Sequence, residues 1–124
     1  MNTHNPFFAP RWWPNPLVPG RDLLAWRKVR QNDAVRITSN PVQAEAGGHS
    51  LATHYFDASP AVAPRAIDLV LHRFENGLWA GGVVGFWRAD GGYTNVAGVP
   101  SDQVTWMWFH PVQITRAWRG GKLL

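Results

Sequence analysis

One stretch of the sequence, AIDLVLHRFENGLWAGGVVGFW at residues 66–87, limits the fold more than any other. Two apolar runs flank the dipeptide Asn76-Gly77, and both of these residue types tolerate the positive φ that a two-residue type I′ turn requires. The stretch therefore predicts an antiparallel hairpin whose register is set by the turn. In that register Phe74 lies opposite Trp79.

The expected register divides the hairpin into two faces, because side chains alternate along a strand. The face predicted to pack on the core contains Ile67, Leu69, Leu71, Val84 and Phe86, with Arg73 near the turn. The other face is expected to hold the pairs Phe74–Trp79, His72–Gly81, Val70–Val83, Asp68–Gly85 and Ala66–Trp87. Because this second face combines large aromatic groups with isolated polar ones, it needs cover from another segment or another chain.

Shorter apolar or alternating runs predict further strands at residues 34–39, 51–56, 93–96 and 104–115. Residues 20–31 carry apolar side chains at helical spacing and predict the one helix. The chain contains 12 glycines and 10 prolines, a content that favours short strands and turns. We therefore expect a mainly β fold: a single antiparallel sheet of about five or six strands in meander order, curled or barrel-like, with one short helix.

The run VTWMWFHP at residues 104–111 places large apolar groups at consecutive positions. In a strand, Trp106 and Trp108 share one face while Met107 and Phe109 share the other. Leaving such side chains uncovered loses several kcal/mol at roughly 25 cal/mol per Å² of apolar surface. This pattern predicts a strand that is covered on both sides.

Residues 1–19 are predicted to form an extended arm, because their five prolines exclude a regular helix and interrupt a sheet. The arm carries Phe7, Phe8, Trp12 and Trp13, each with roughly 150–250 Å² of mostly apolar surface. We expect the arm to lie on its own domain or on another chain. The predicted organisation is an arm at 1–19, a β-rich domain at 20–119 and a short tail at 120–124.

Composition restricts the classes of function. The chain has no cysteine, which excludes a disulfide framework and a thiolate metal site. No stretch approaches the roughly 20 apolar residues of a membrane span, and the first residues lack the pattern of a secretory signal. His49 and His54 are spaced for opposite faces of a strand, and no serine has the context of a nucleophile. We expect no membrane association, no metal or other cofactor, and no catalysis.

The tryptophans and arginines favour a structural or interaction protein, because these residue types dominate binding hot spots. The predicted partner-binding residues are Phe7, Phe8, Trp12, Trp13, Trp79 and Trp87, and the partners are other protein chains, including further copies of this one. An alternative is binding to single-stranded nucleic acid, for which the net charge of +4 provides a mild attraction. The predicted nucleic-acid contacts are Arg73, Arg88, Arg116 and Arg119.

The C-terminal part of the chain resembles a small phage- and prophage-encoded family of unknown function that closes on a Val/Ile-Thr-His-Trp-Met-Pro type motif. Val104-Thr105 and Trp106-Met107 match that motif. The intervening histidine is absent here, and Trp108 stands in place of the proline. The resemblance implies a mobile-element origin and supplies no site residues. The extended aromatic arm is, by analogy, a feature of virus-particle subunits and accessory proteins. We therefore expect a phage particle component or accessory protein, in the virion or the host cytoplasm, with an inhibitor of a host enzyme or defence system as a further alternative.

Overall fold

The structure is a computed structural model that describes residues 25–45 and 64–124. These residues form one antiparallel sheet of eight strands. The strands are β1 (Ala34–Ile37), β2 (Gln43–Glu45), β3 (Ala66–Glu75), β4 (Leu78–Trp87), β5 (Tyr93–Asn95), β6 (Trp106–Phe109), β7 (Ile114–Arg119) and β8 (Lys122–Leu123). Helix within the described ranges is limited to short 3₁₀ turns at Ala25–Arg27, Ser101–Gln103 and Pro111–Gln113. The prediction of a mainly β fold is confirmed.

The predicted helix over residues 20–31 is wrong in its described part, where only a 3₁₀ turn at Ala25–Arg27 forms. The chain instead makes a tight turn before β1. In this turn the Asp33 carboxylate accepts a hydrogen bond from the Arg30 amide at 3.0 Å, and the Asp33 amide donates to the Arg30 carbonyl at 3.1 Å. Asn32 within the turn has a φ of +74°, which no α-helix accommodates.

The strands follow the order β2–β6–β4–β3–β1–β7–β8, with β5 pairing with β4 beyond the end of β6. The predicted meander order is wrong, because β1 lies between β3 and β7 and the connection from β6 to β7 crosses to the other side of the hairpin. The predicted barrel closure is also wrong, since the described sheet is open. Its edge strands, β2 and β8, have only three and two residues, so they offer few backbone groups for further pairing.

The hairpin of β3 and β4 forms as predicted around Asn76 and Gly77, whose φ angles are +54° and +79°. Phe74 lies opposite Trp79 as expected, but the middle of the predicted register is wrong. The pairing shifts by one residue at His72 in β3 and shifts back at Val84 in β4. These two β-bulges each insert one extra residue and change which side chains face the core.

Between the bulges, Leu71 pairs with Gly81 and Leu69 with Val83. The side of the sheet that carries Leu69 and Leu71 is called here the inner face. Its core cluster contains Val35, Ile37, Ile67, Leu69, Leu71, Trp79, Val83, Val96, Met107, Phe109, Ile114 and Ala117. Val83 therefore takes the core position predicted for Val84, and Trp79 belongs to the inner face instead of the opposite one. The opposite side is called the outer face.

Residues 104–115, predicted as one strand, form β6 and β7 separated by the 3₁₀ turn at Pro111–Gln113. In β6, Met107 and Phe109 are fully buried on the inner face, while Trp106 and Trp108 are half-buried on the outer face. The predicted division of these side chains between two faces is thus confirmed. Residues 120–124, predicted as a tail, include a turn at Gly120 and Gly121 with positive φ and the edge strand β8.

Candidate functional site

The six residues predicted to bind partners lie in different settings. Phe7, Phe8, Trp12 and Trp13 lie outside the described residues, as do the rest of the predicted arm and the predicted strand at 51–56. Trp79 is only 9% exposed and belongs to the core cluster. Trp87 is half-buried on the outer face.

An apolar groove of about 340 Å³ lies beside the tip of the hairpin, at the end of the inner face. Its lining comes from three separate parts of the chain: Trp26, Arg27 and Val29 before β1, Phe74 and Trp79 in the hairpin, and Pro111 after β6. We call this feature the tip groove. Because it joins segments that are distant in sequence, the folded sheet is required to assemble it.

Three of the six residues that line the tip groove are aromatic, namely Trp26, Phe74 and Trp79. Phe74 is 54% exposed, and its ring lies 5.3 Å from that of Trp79 at a tilt of 59°. The Arg27 guanidinium lies 5.2 Å from the centre of the Trp26 ring, within the range of a cation–π contact. Val112, next to Pro111, is 66% exposed. Apolar surface is therefore presented both within the groove and beside it.

The turn that carries Pro111 and Val112 is held by Gln113. The side-chain carbonyl of Gln113 accepts a hydrogen bond from the His110 amide at 2.8 Å. Its amide nitrogen donates to the Asn40 carbonyl at 2.7 Å and to the Ser39 hydroxyl at 2.9 Å. These bonds join the turn to the segment that follows β1, so this wall of the groove has a defined position.

A buried ion pair lies on the outer face, across β1 and β3. Arg36 donates to Asp68 through Nε at 2.7 Å and through Nη2 at 3.1 Å, and the Tyr93 hydroxyl donates to the same carboxylate at 3.0 Å. Arg36 is fully buried and Asp68 is 2% exposed. The Arg36 guanidinium also lies 5.1 Å and 5.8 Å from the rings of Trp118 and Trp87. The Tyr93 ring passes so close to Gly85 that a side chain there would overlap it.

Burial changes the titration of the groups around this pair. Burial, reinforced by the nearby Asp68 carboxylate, raises the pKa of Tyr93 well above its ordinary value of 10.0. Burial and the charge of Arg36 lower the pKa of Arg116. Tyr93 therefore remains a neutral hydrogen-bond donor at physiological pH, which suits a structural role in the cluster.

The four arginines predicted to contact nucleic acid are not gathered into one surface. Arg116 is 3% exposed and lies opposite Arg36 in the sheet. The other three each pair with a carboxylate: Arg73 with Glu75 at 3.2 Å, Arg88 with Asp90 at 3.2 Å, and Arg119 with Asp33 at 2.8 Å. This local pairing reduces the positive field that a nucleic-acid backbone would meet.

Within residues 25–45 and 64–124, histidines, aspartates and glutamates form no group of three that could hold a metal ion. Nor does the described part of the chain contain a helix that is long and apolar enough to cross a membrane. Comparisons with protein-family models, with curated proteins and with solved structures found no significant match.

Of the six residues that line the tip groove, only Trp79 was among the predicted partner-binding residues. The five that were missed are Trp26, Arg27, Val29, Phe74 and Pro111. One signal was present: Pro111 lacks an amide hydrogen and interrupts the apolar run, which indicates a turn between two strands. The contact between this turn and Trp26 depends on the strand order, which no local pattern specifies.

Proposed function

We propose that this protein is a non-catalytic interaction protein that binds other protein chains through the tip groove. The observation that carries the proposal is an apolar, aromatic-lined groove with Phe74 more than half exposed at its edge. Exposed apolar surface of this kind is typical of binding sites, and buried aromatic anchors provide most of the affinity at protein interfaces.

The arrangement of the tip groove supports this proposal over a purely structural role. Trp79 lines the groove and belongs to the core cluster, so it offers a rigid surface that loses little conformational freedom on binding. Arg27 also lines the groove, is exposed and lies beside Trp26, so its guanidinium can orient a partner. Aromatic residues and arginine are enriched at protein interfaces, and the groove combines both.

Two serine variants with matched exposure test the proposal. Phe74→Ser removes an aromatic anchor that is 54% exposed, whereas Val42→Ser changes a side chain that is 55% exposed and does not line the groove. Sedimentation velocity over a range of concentrations measures self-association. Quantitative co-precipitation with each variant as bait measures the binding of other proteins.

Losing a hot-spot side chain typically removes about 2 kcal/mol or more, which is roughly a 30-fold weaker interaction. We expect Phe74→Ser to weaken association by that amount and Val42→Ser to match the wild type. The proposal is contradicted if the wild-type protein stays monomeric and co-precipitates no protein in a larger amount than Phe74→Ser does.

The proposed role in a phage particle or as a phage accessory protein, and the location in a virion or host cytoplasm, remain predictions from the sequence. Action on a host enzyme or defence system is the alternative form of the same binding role. Identifying the protein retained by the wild type and lost by Phe74→Ser separates these possibilities.

A further inference from the structure

The tip groove and the predicted arm at residues 1–19 have matching chemistry, and both belong to the same chain. The groove presents Trp26, Phe74 and Trp79, and Phe74 is 54% exposed. The sequence of the arm contains five prolines and four large aromatic residues. Because apolar surface is costly to leave in water, contact between the arm and the groove would lower the free energy of both.

Proline excludes one common way in which an extended segment binds to a sheet. A segment that adds to a sheet edge donates its backbone amides to that edge, and proline has no amide hydrogen. The edge strands β2 and β8 also have only three and two residues. Proline-rich segments bind instead as polyproline II helices, which dock in grooves lined by aromatic side chains. The tip groove has such a lining.

The spacing of the prolines in the arm also suits this mode of binding. A polyproline II helix has three residues per turn, so residues three positions apart lie along one edge. On such a helix, one edge would contain Pro10, Trp13, Pro16 and Pro19. This edge is entirely apolar, and it ends in the motif Pro-x-x-Pro. Residues 10–19 therefore provide the kind of ligand that an aromatic groove recognises.

The arm joins the described fold at the groove itself. The described residues begin at Ala25, and the next residue, Trp26, lines the groove. Five residues separate Pro19 from Ala25, and this connection spans at most roughly 20 Å. The dipeptide Pro19-Gly20 is a turn signal, so the connection is suited to returning the arm to the groove.

Residues 46–63 are less suited to the tip groove, because of where they join the sheet. They follow Glu45, which pairs with Trp106, and they lead to β3, whose first residue Ala66 pairs with Trp87. Neither attachment point is at the tip of the hairpin. The positions at which the chain enters the described fold therefore favour the arm as the occupant of the groove.

We propose that the tip groove binds proline-rich segments in the polyproline II conformation, and that residues 10–19 of the same chain occupy it in the free protein. A short connection gives the arm an effective concentration in the millimolar range, well above that of a second molecule at micromolar concentration. The contact therefore forms within one molecule. Partner proteins bind the groove by displacing the arm. This consequence rests on the proposed function, whereas the contact itself does not.

A nitroxide attached to the arm tests the contact in the full-length protein. Because the sequence contains no cysteine, Asn15→Cys supplies a single attachment site, and Asn15 is not on the proposed edge. NMR spectra with the nitroxide oxidised and reduced measure the broadening of each indole signal. We expect strong broadening at Trp79 and none at Trp87, which lies at the other end of the hairpin and reports that the sheet is folded. The proposal is overturned if the Trp79 signal stays as sharp as that of Trp87.

Two adjacent tryptophans supply a matched pair of variants in the arm. Trp13→Ala removes an indole from the proposed edge, whereas Trp12→Ala removes one from a different edge. Losing an aromatic anchor weakens a contact by roughly 30-fold, so Trp13→Ala should largely abolish the broadening at Trp79. Trp12→Ala should preserve it. Equal effects of the two variants would contradict binding along this edge and overturn the proposal.

A second matched pair tests the groove. Phe74→Ser removes an exposed groove residue and should also abolish the broadening at Trp79, while Val42→Ser, with almost the same exposure, should preserve it. Both changes affect exposed side chains, so the sheet should remain folded in both variants. Broadening that persists in Phe74→Ser would place the arm outside the tip groove and overturn the proposal.

A mixed sample shows whether the contact lies within one molecule. Spin-labelled protein without isotope is mixed with an equal amount of isotope-labelled protein that lacks the nitroxide, so only contacts between copies broaden the observed signals. We expect the Trp79 signal of this mixture to stay sharp at micromolar concentration. Broadening as strong as in the singly prepared sample would assign the arm to the groove of a second copy and overturn the intramolecular contact.

Co-precipitation separates this inference from the proposed function. In a protein that retains partners, Trp13→Ala frees the groove and should raise the amount retained, whereas Phe74→Ser should lower it. A smaller or unchanged amount with Trp13→Ala would overturn displacement of the arm by partners. If the arm broadens the Trp79 signal but no partner is retained, the proposed function alone fails. If partners are retained but the Trp79 signal stays sharp, the present inference alone fails.

Discussion

Replacing Asp68 with asparagine removes one charge from the buried ion pair and nearly preserves its shape. Asp68 accepts three hydrogen bonds, two from Arg36 and one from Tyr93, and both members of the pair are almost entirely buried. Removing one partner of a buried pair costs about 3–5 kcal/mol, because the remaining charge stays desolvated. A small domain has a total stability of about 5–15 kcal/mol, so Asp68→Asn should remove a large part of it.

Urea unfolding followed by circular dichroism measures this loss. The midpoint should fall while the dependence on urea concentration stays unchanged, because the same surface is exposed on unfolding. At roughly 4 °C per kcal/mol for a domain of this size, the thermal midpoint should fall by about 12–20 °C. Glu75→Gln is the control, since the exposed pair of Glu75 with Arg73 should contribute about 1 kcal/mol or less.

A double variant, Arg36→Met with Asp68→Leu, distinguishes the desolvated charge from simple loss of contacts. Apolar replacement of a whole buried pair is often neutral or stabilising, so this variant should recover most of the stability that Asp68→Asn loses. Should Asp68→Asn cost less than about 1 kcal/mol, or the double variant cost more than the single one, the reasoning from burial is refuted.

Three further predictions concern other parts of the fold. Because the pKa of Tyr93 is raised in the folded protein, the unfolded chain releases the Tyr93 hydroxyl proton at a lower pH. The free energy of unfolding should therefore fall above about pH 10, by up to about 1.4 kcal/mol per pH unit. Tyr93→Phe should remove that pH dependence in urea titrations. Gly77→Ala, at a φ of +79°, should lose about 1–2 kcal/mol in the same assay, whereas Gly98→Ala, whose added methyl meets no atom within 4 Å, should be nearly neutral. Phe109→Ala should lose about 3–5 kcal/mol by opening a cavity in the core, and an unchanged urea midpoint would contradict the burial of Phe109.

The hairpin was predictable because its signal is local: Asn76 and Gly77 fit one turn geometry, and that geometry fixes the adjacent pairs. The bulges were not predictable, because Val83 and Val84 are identical side chains and alternation cannot decide which of them faces the core. The choice depends on packing in the folded sheet, where Val83 pairs with Leu69, and no local pattern encodes that packing.

 In the structure Val83 pairs with Leu69 across the hairpin and is 2% exposed, whereas Val84 is half-buried.

The helix at residues 20–31 was mispredicted for a related reason. Apolar side chains at helical spacing also fit an irregular segment whose residues pack one at a time, as Trp26 and Val29 do against the core. The turn at Asp33, stabilised by its own side chain, ends any helical hydrogen bonding before β1.

The candidate sites were only partly accessible from the sequence. Trp79 was recognised as an important aromatic residue but placed on the wrong face, because the bulges at Val84 in β4 and at His72 in β3 were not foreseen. The last hairpin was missed even though Gly120-Gly121 is a recognised turn signal, because residues 120–124 were interpreted as a short tail. Predicting a groove that is built from distant segments requires knowledge of the strand order, which the sequence patterns did not provide.

The two bulges of the long hairpin each add one residue, one in β3 and one in β4, so their effects on the pairing register cancel. This limits the insertions and deletions that the two strands can accommodate. Deleting His72 alone, or Val84 alone, would leave one strand a residue out of step with its partner over the rest of the hairpin. Deleting both would restore continuous pairing without moving either end. Insertions and deletions in β3 and β4 should therefore be tolerated in compensating pairs and selected against singly.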